Sequence, residues 1–183
     1  IEVLKLLITI LGAKAALAAW TGPSGAPKDF ELKADCIEVK ARRGASQPFV
    51  KISNEYQLAD VPDRRLWLGV IAVDKVQLPH GRTLTEHADD VTELLERTEP
   101  SAIADWDLHL ADAGYDTLRD YSAWRWIVSF PEFYSVSESF PRITTPVPLG
   151  VSGVNYALAL SACAPFRTEW EIVRTALVDK DVS

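Results

Sequence analysis

"KDFELKADCIEVKA", residues 28–41, places charged side chains in a strand otherwise built from Cys36, Ile37 and Val39, and its reading decides the fold. Side chains two apart on a strand point the same way, so Glu38 and Lys40 share one face about 7 Å apart. A turn centred between Lys33 and Ala34 makes antiparallel partners sum to 67. Asp29 then lies opposite Glu38 at a Cβ separation of roughly 4.5–5.5 Å. This register is an assumption, because "LKAD" lacks the Gly or Asn of the tightest hairpin turns.

Two carboxylates that close repel each other unless something cationic sits between them. A hard divalent cation such as Mg²⁺ fits, since it takes oxygen ligands from one or two carboxylates and keeps several waters. Lys40, on the same side, would orient or help deprotonate such a water, or offset the charge of a phosphate. The carbonyl of Val39 is a further candidate ligand. Spacing alone therefore admits a metal site for phosphodiester hydrolysis. It also admits an ordinary amphipathic strand with an acid and a lysine on its wet face, the commoner origin of Glu-X-Lys.

The 183 residues match the length of one domain, and 48% are hydrophobic, enough for a core. A net charge of −7 argues against a protein coated in nucleic acid or bound to an acidic membrane, while leaving room for a local basic groove. Cys36 and Cys163 lie in separate apolar runs and are expected as buried, reduced thiols of a cytoplasmic protein. Glu2, Lys5, Gly12 and Lys14 interrupt the first nineteen residues, which read as core helix rather than membrane span. The chain begins inside this apolar pattern and contains no methionine, so it reads as a piece of a longer protein.

Apolar positions over residues 2–11 predict a buried helix ending at Gly12, with a second short one over 13–20. "TGPSGAPK" is a loop; strands follow at about 29–32 and 35–41, then a helix over "ISNEYQLADV" capped by Ser53 or Asn54. "RLWLGVIAV", residues 65–73, reads as a central strand covered on both faces. Thr83 and Glu86 form a capping-box pattern opening a helix to about Arg97, and a further helix spans about 101–113. From Trp124 the pattern turns β-rich: "WRWIVSF", "FYSV" and "VNYALALSA". The sum is a single mixed α/β (α+β) domain over 1–183: motif-bearing helix and strands over 1–75, helices over 83–114, and a β-rich part over 120–170.

Asp29 followed by Glu38-Val39-Lys40 resembles the signature of the PD-(D/E)XK nuclease superfamily, in which an Asp starts one strand and (D/E)XK lies on the next. "AALAAWTGPSGAPKDF", "ISNEYQL", "FYSVSESFPRIT" and "GVSGVNYALALSACAPF" extend the likeness, over about residues 1–170, to a bacterial family of PD-(D/E)XK motif proteins. Its members tend to be encoded in clusters linked to DNA modification and phage defence. The resemblance implies a restriction-endonuclease-like core, a mixed sheet flanked by helices with a β-rich C-terminal extension. It implies a DNA endonuclease using Mg²⁺, or Mn²⁺ as substitute. Asp29 and Glu38 would hold the metal, Lys40 would serve the attacking water, and Glu2 and Gln57 stand where the superfamily often has auxiliary residues. Two departures stand out. Lys28 intervenes between Pro27 and the motif Asp, and other members are longer at the N-terminus.

Lys40, Arg42, Arg43 and Lys51 give four basic and no acidic residues between Val39 and Ser53, either a phosphate-holding patch for DNA or a solvated loop. Asp35 falls where a turn residue is expected, though it is an alternative ligand to Asp29. His80, His87 and His109 show no zinc spacing. The aromatic residues Trp106, Trp124, Trp126, Phe133, Tyr134 and Tyr156 are candidates for base stacking, but their periodicity favours core packing. Partners expected are DNA, further subunits of a defence system and a second copy, with no membrane. Two rivals remain: a catalytically silent DNA-binding or scaffold subunit, and a domain binding a small ligand in an aromatic cleft.

Overall fold

A computed structural model describes residues 1–44 and 48–181. Its centre is a mixed sheet. Strand β2 (Asp35–Arg42) runs antiparallel to the two-residue β1 (Phe30–Glu31) and parallel to β4 (Arg65–Val76). Beyond β4 come β6 (Glu132–Val136) and β8 (Arg167–Thr168), both antiparallel. The β1–β2 register pairs Phe30 with Ile37 and Glu31 with Cys36, the assumed sum of 67. A parallel strand with neighbours on both sides needs apolar residues on both faces. β4 meets this: Leu66, Leu68 and Val70 enter one core, Trp67 and Ile71 the other.

Helices cover the Trp67 face. α1 (Glu2–Leu11) buries Val3, Leu4, Leu7 and Ile8, one stripe at helical spacing, and stops at Gly12, whose φ of 83° suits glycine. α2 (Ala13–Ala19) presents small residues, so it packs close. Its first amides, Ala13 and Lys14, donate to the Glu99 carboxylate at 3.0 and 3.3 Å. α3 (Leu84–Thr98) opens with the expected Thr83–Glu86 capping box, and α4 (Ile103–Asp112) buries Trp106. No described helix is long and apolar enough to cross a membrane.

On the other face lies a two-stranded sheet, β3 (Phe49–Ile52) antiparallel to β7 (Tyr156–Ala159). Its buried Val50, Ile52 and Leu158 pack with Cys36, Cys163 and Tyr134, and both cysteines are free thiols. The later strands belong to this same architecture: β6 and β8 extend the central sheet, and β5 (Arg125–Val128) pairs with the far end of β4. Between β5 and β6 the register against β4 slips by one residue, from Val128↔Val73 to Glu132↔Val70. One inserted residue is what a bulge requires, and residues 129–131, between the two strands, carry it.

Three local expectations change, and one further helix appears. Residues 54–59 form turns rather than a helix. Asn54 Oδ1 accepts the amides of Tyr56 (3.0 Å) and Gln57 (3.1 Å), a local bond that competes with helix formation. The segment "VNYALALSA" divides into β7 and a short helix, α5 (Leu160–Cys163). The C-terminal part ends in a further helix, α6 (Trp170–Asp181), which buries Val173 and Leu177, four residues apart. Asp35 is not a turn residue. It opens β2, buried, and accepts two 2.8 Å bonds from the Arg65 guanidinium and one of 2.8 Å from the Trp67 indole. With its oxygens so occupied, Asp35 is no alternative to Asp29.

Candidate active site

Strand β1 ends where the site begins. On β2, residues 35, 37 and 39 turn their amide and carbonyl groups toward β1, as the Leu32 amide to Asp35 carbonyl bond of 2.8 Å fixes. At Val39 there is no partner backbone left, and the Asp29 carboxylate replaces it: Val39 N–H donates to Asp29 Oδ2 at 2.7 Å. The Asp29 carbonyl in turn accepts the amides of Thr21 and Gly22, each at 3.0 Å. Gly22 lies so close that an added Cβ would stand 2.7 Å from Asp29 Oδ1 and 3.3 Å from its Cα. Only glycine leaves that carboxylate in place.

Glu38 points into the protein with 2% of its side chain exposed, and its Oε1 accepts a 2.8 Å bond from the Lys40 ammonium. Lys40 also donates to Gln57 Oε1 at 2.7 Å. The same Gln57 oxygen accepts the Ser53 amide at 2.7 Å, which locks the side-chain amide's orientation. Asp29, Glu38, Lys40 and Gln57 therefore form one cluster on three segments, with the Val39 carbonyl on the Asp29 edge of β2. The Lys40 ammonium holds two acceptors on different segments at once.

The electrostatics are those of two acids in want of a cation. Burial, then the neighbouring Asp29 charge, pushes the Glu38 carboxyl up to about 7, although Lys40 and Lys28 pull it back. Asp29 is also raised, by burial, against the opposing pull of the Val39 N–H and the Lys40 charge. A carboxylate accepting hydrogen bonds normally ionises more readily than a free one, so a net rise here means desolvation wins. Two electrostatically coupled carboxyls in a partly dry site are the kind of oxygen donor a hard divalent ion takes, and its charge would relieve both costs. Asp29, Glu38 and the Val39 carbonyl are the oxygen donors that could hold Mg²⁺ here. No group of three or more His, Cys, Asp or Glu with metal-holding geometry occurs among the described residues, so water would complete any coordination shell.

The remaining candidates make other contacts. Glu2 binds Lys5 at 2.9 Å and His87 Nδ1 at 3.4 Å, beside a cavity walled by Ala41, Leu84 and Trp126, instead of joining Lys40. The Arg42 guanidinium donates to the Gly44 carbonyl, Arg43 is exposed, and Lys51 lies on the outer, exposed face of β3. His109 stacks on Trp20 with centroids 5.6 Å apart. Trp106, Phe133 and Tyr134 are buried, core residues as their periodicity suggested, whereas Trp124 is exposed under the Lys75 ammonium.

Sequence reasoning passed over Lys28, treating it as an intrusion between Pro27 and Asp29. Its side chain is buried and its ammonium donates to the carbonyls of Tyr56, of Gln57 at 2.8 Å and of Ala59 at 2.9 Å. Burial lowers its pKa, and the nearby Glu38 charge opposes that. A lysine amid charged neighbours in sequence carries no mark of burial, so only the fold reveals it.

A family model described as "Putative PD-(D/E)XK family member, (DUF4420)" matches residues 1–161. No curated protein matches the chain, and no solved structure does.

Proposed function

Because the chain belongs to this PD-(D/E)XK family, we propose that it is a divalent-metal-dependent DNA endonuclease, working with Mg²⁺ in a bacterial restriction or phage-defence system. The observation that carries the reading is the cluster of two charge-strained carboxyls, Asp29 and Glu38, with Lys40 held between Glu38 and Gln57. In hydrolysis a water oxygen bonds to phosphorus and one P–O ester bond breaks, leaving a phosphate monoester and a hydroxyl. A bound Mg²⁺ would supply Lewis-acid stabilisation of the charge that develops on the phosphate. Asp29, Glu38 and the Val39 carbonyl are the oxygen donors for it. Lys40 presents an N–H toward the attacking water or a phosphate oxygen, and Gln57 keeps that amine from swinging away. Arg42, Arg43 and Lys51 are the basic residues assigned to the DNA backbone, and a cytoplasmic location follows from this substrate.

A catalytically silent DNA-binding or scaffold subunit is the second reading. What favours it is the 2.8 Å Lys40–Glu38 ion pair, which a metal would have to share, at a site where no group of three metal-holding side chains occurs among the described residues. Incubating purified protein with supercoiled plasmid separates the two. Nicked or linear product is expected with Mg²⁺ or Mn²⁺ and none with EDTA. Bound but intact DNA under all three conditions would support the scaffold.

A further inference from the structure

Four successive carbonyls on the turn that carries Gln57 are taken up by two basic side chains. Lys28 holds those of Tyr56, Gln57 and Ala59, and Arg142 holds that of Leu58 while its other arm meets Asp60 at 2.6 Å. The Asn54 side chain and the 3.2 Å bond from the Ala59 amide to the Tyr56 carbonyl shape the turn locally, while the Lys28 ammonium ties three of its carbonyls to the residue beside Asp29. Gln57 leaves this turn with its side-chain oxygen on Lys40 and on the Ser53 amide, both at 2.7 Å. Lys28 itself directly precedes Asp29 in the chain, so one dipeptide supplies both a carboxylate of the cluster and the ammonium that mounts its opposite wall.

We propose that Lys28 is a positioning residue of this site: its buried ammonium fixes the 56–59 turn so that Gln57 holds the Lys40 amine in place. The proposal rests on the nuclease reading for its catalytic consequence, but the mounting itself stands on geometry alone. Lys28 touches no substrate. Its effect passes through Gln57 to Lys40, which predicts that Lys28 and Gln57 act as one unit and that substitutions at the two are not additive.

The test compares Lys28→Met, Gln57→Ala and the double variant in the full chain. With Mg²⁺ and plasmid DNA, Lys28→Met is expected to lower kcat about 10- to 100-fold with KM for DNA little changed, and the double variant to be no slower than the slower single one. Mn²⁺ affinity by calorimetry should stay close to that of the unaltered protein, because both carboxylates remain. Independently of activity, the Lys40 ammonium NMR signal in Lys28→Met should move to its position in Gln57→Ala. Multiplying effects in the double variant, or a Lys40 signal untouched by Lys28→Met, would overturn the proposal. Should Lys28→Met not fold, the unaltered protein decides: couplings across hydrogen bonds from the Lys28 ammonium to the carbonyls of Tyr56, Gln57 and Ala59 are expected, and their absence refutes the clamp. If the unaltered protein cuts no DNA, the nuclease reading fails, while the two NMR measurements still decide the clamp.

Discussion

Replacing Lys40 by alanine is expected to lower metal-dependent DNA cleavage about 10²- to 10⁴-fold, the range a positioned proton-transfer or charge-offsetting group supplies. The reasoning starts from what the ammonium touches. It stands 2.8 Å from Glu38 and 2.7 Å from Gln57, with 13% of the side chain exposed, so it is fixed and reaches the edge of the protein. Its loss removes a fixed donor from the cluster and leaves Glu38 without its nearest counter-charge. The fold should survive this: Glu38 can take up a proton, and Gln57 Oε1 keeps the Ser53 amide. Circular dichroism and a melting curve close to those of the unaltered protein, alongside a lost nicking activity, are the expected pair of results. Unchanged activity would remove Lys40 from the chemistry.

Glu38→Gln carries the second large effect, and its sign is counter to intuition for a buried ion pair. The Glu38 carboxyl is raised from its ordinary 4.5 to about 7 in the folded protein. Between those values the folded state binds more protons than the unfolded one, so stability falls as pH rises from about 4.5 through 7 and levels off above. At about 1.4 kcal/mol per pKa step the shift corresponds to a cost of about 3 kcal/mol by pH 8. A neutral amide escapes that cost. Without metal, Glu38→Gln is therefore expected to be more stable than the unaltered protein at pH 8, by an amount approaching about 3 kcal/mol, and nearly equal to it at pH 4. Added Mg²⁺ should raise the stability of the unaltered protein at pH 8 and leave the variant little affected. Urea unfolding at the two pH values, with and without Mg²⁺, measures all of this. A flat stability profile for the unaltered protein, with no gain in the variant, would mean that Glu38 carries no strain.

The features legible in the sequence are those that local periodicity or a short motif fixes. The β1–β2 register came out at the pairing assumed from a turn centred between Lys33 and Ala34. The apolar run of β4 and the Thr83–Glu86 cap are likewise local. Gln57 falls beside Lys40, although the turn bearing it replaces the expected helix. What stayed hidden depends on residues distant in sequence. Lys28 meets carbonyls some thirty residues on, and Asp35 meets Arg65 and Trp67 across the parallel strand pair. Glu2 meets His87 from α3. A charged residue reads the same in sequence whether it is solvated or buried against a partner, and only packing tells the two apart.

Diffraction at the manganese edge from a crystal soaked in Mn²⁺ tests the metal site most directly. The account predicts an anomalous peak bonded to carboxylate oxygens of both Asp29 and Glu38 at about 2.0–2.3 Å, with Lys40 still on Gln57. A saturating soak that leaves no peak between those two carboxyls, with Glu38 still closed on Lys40, would contradict it.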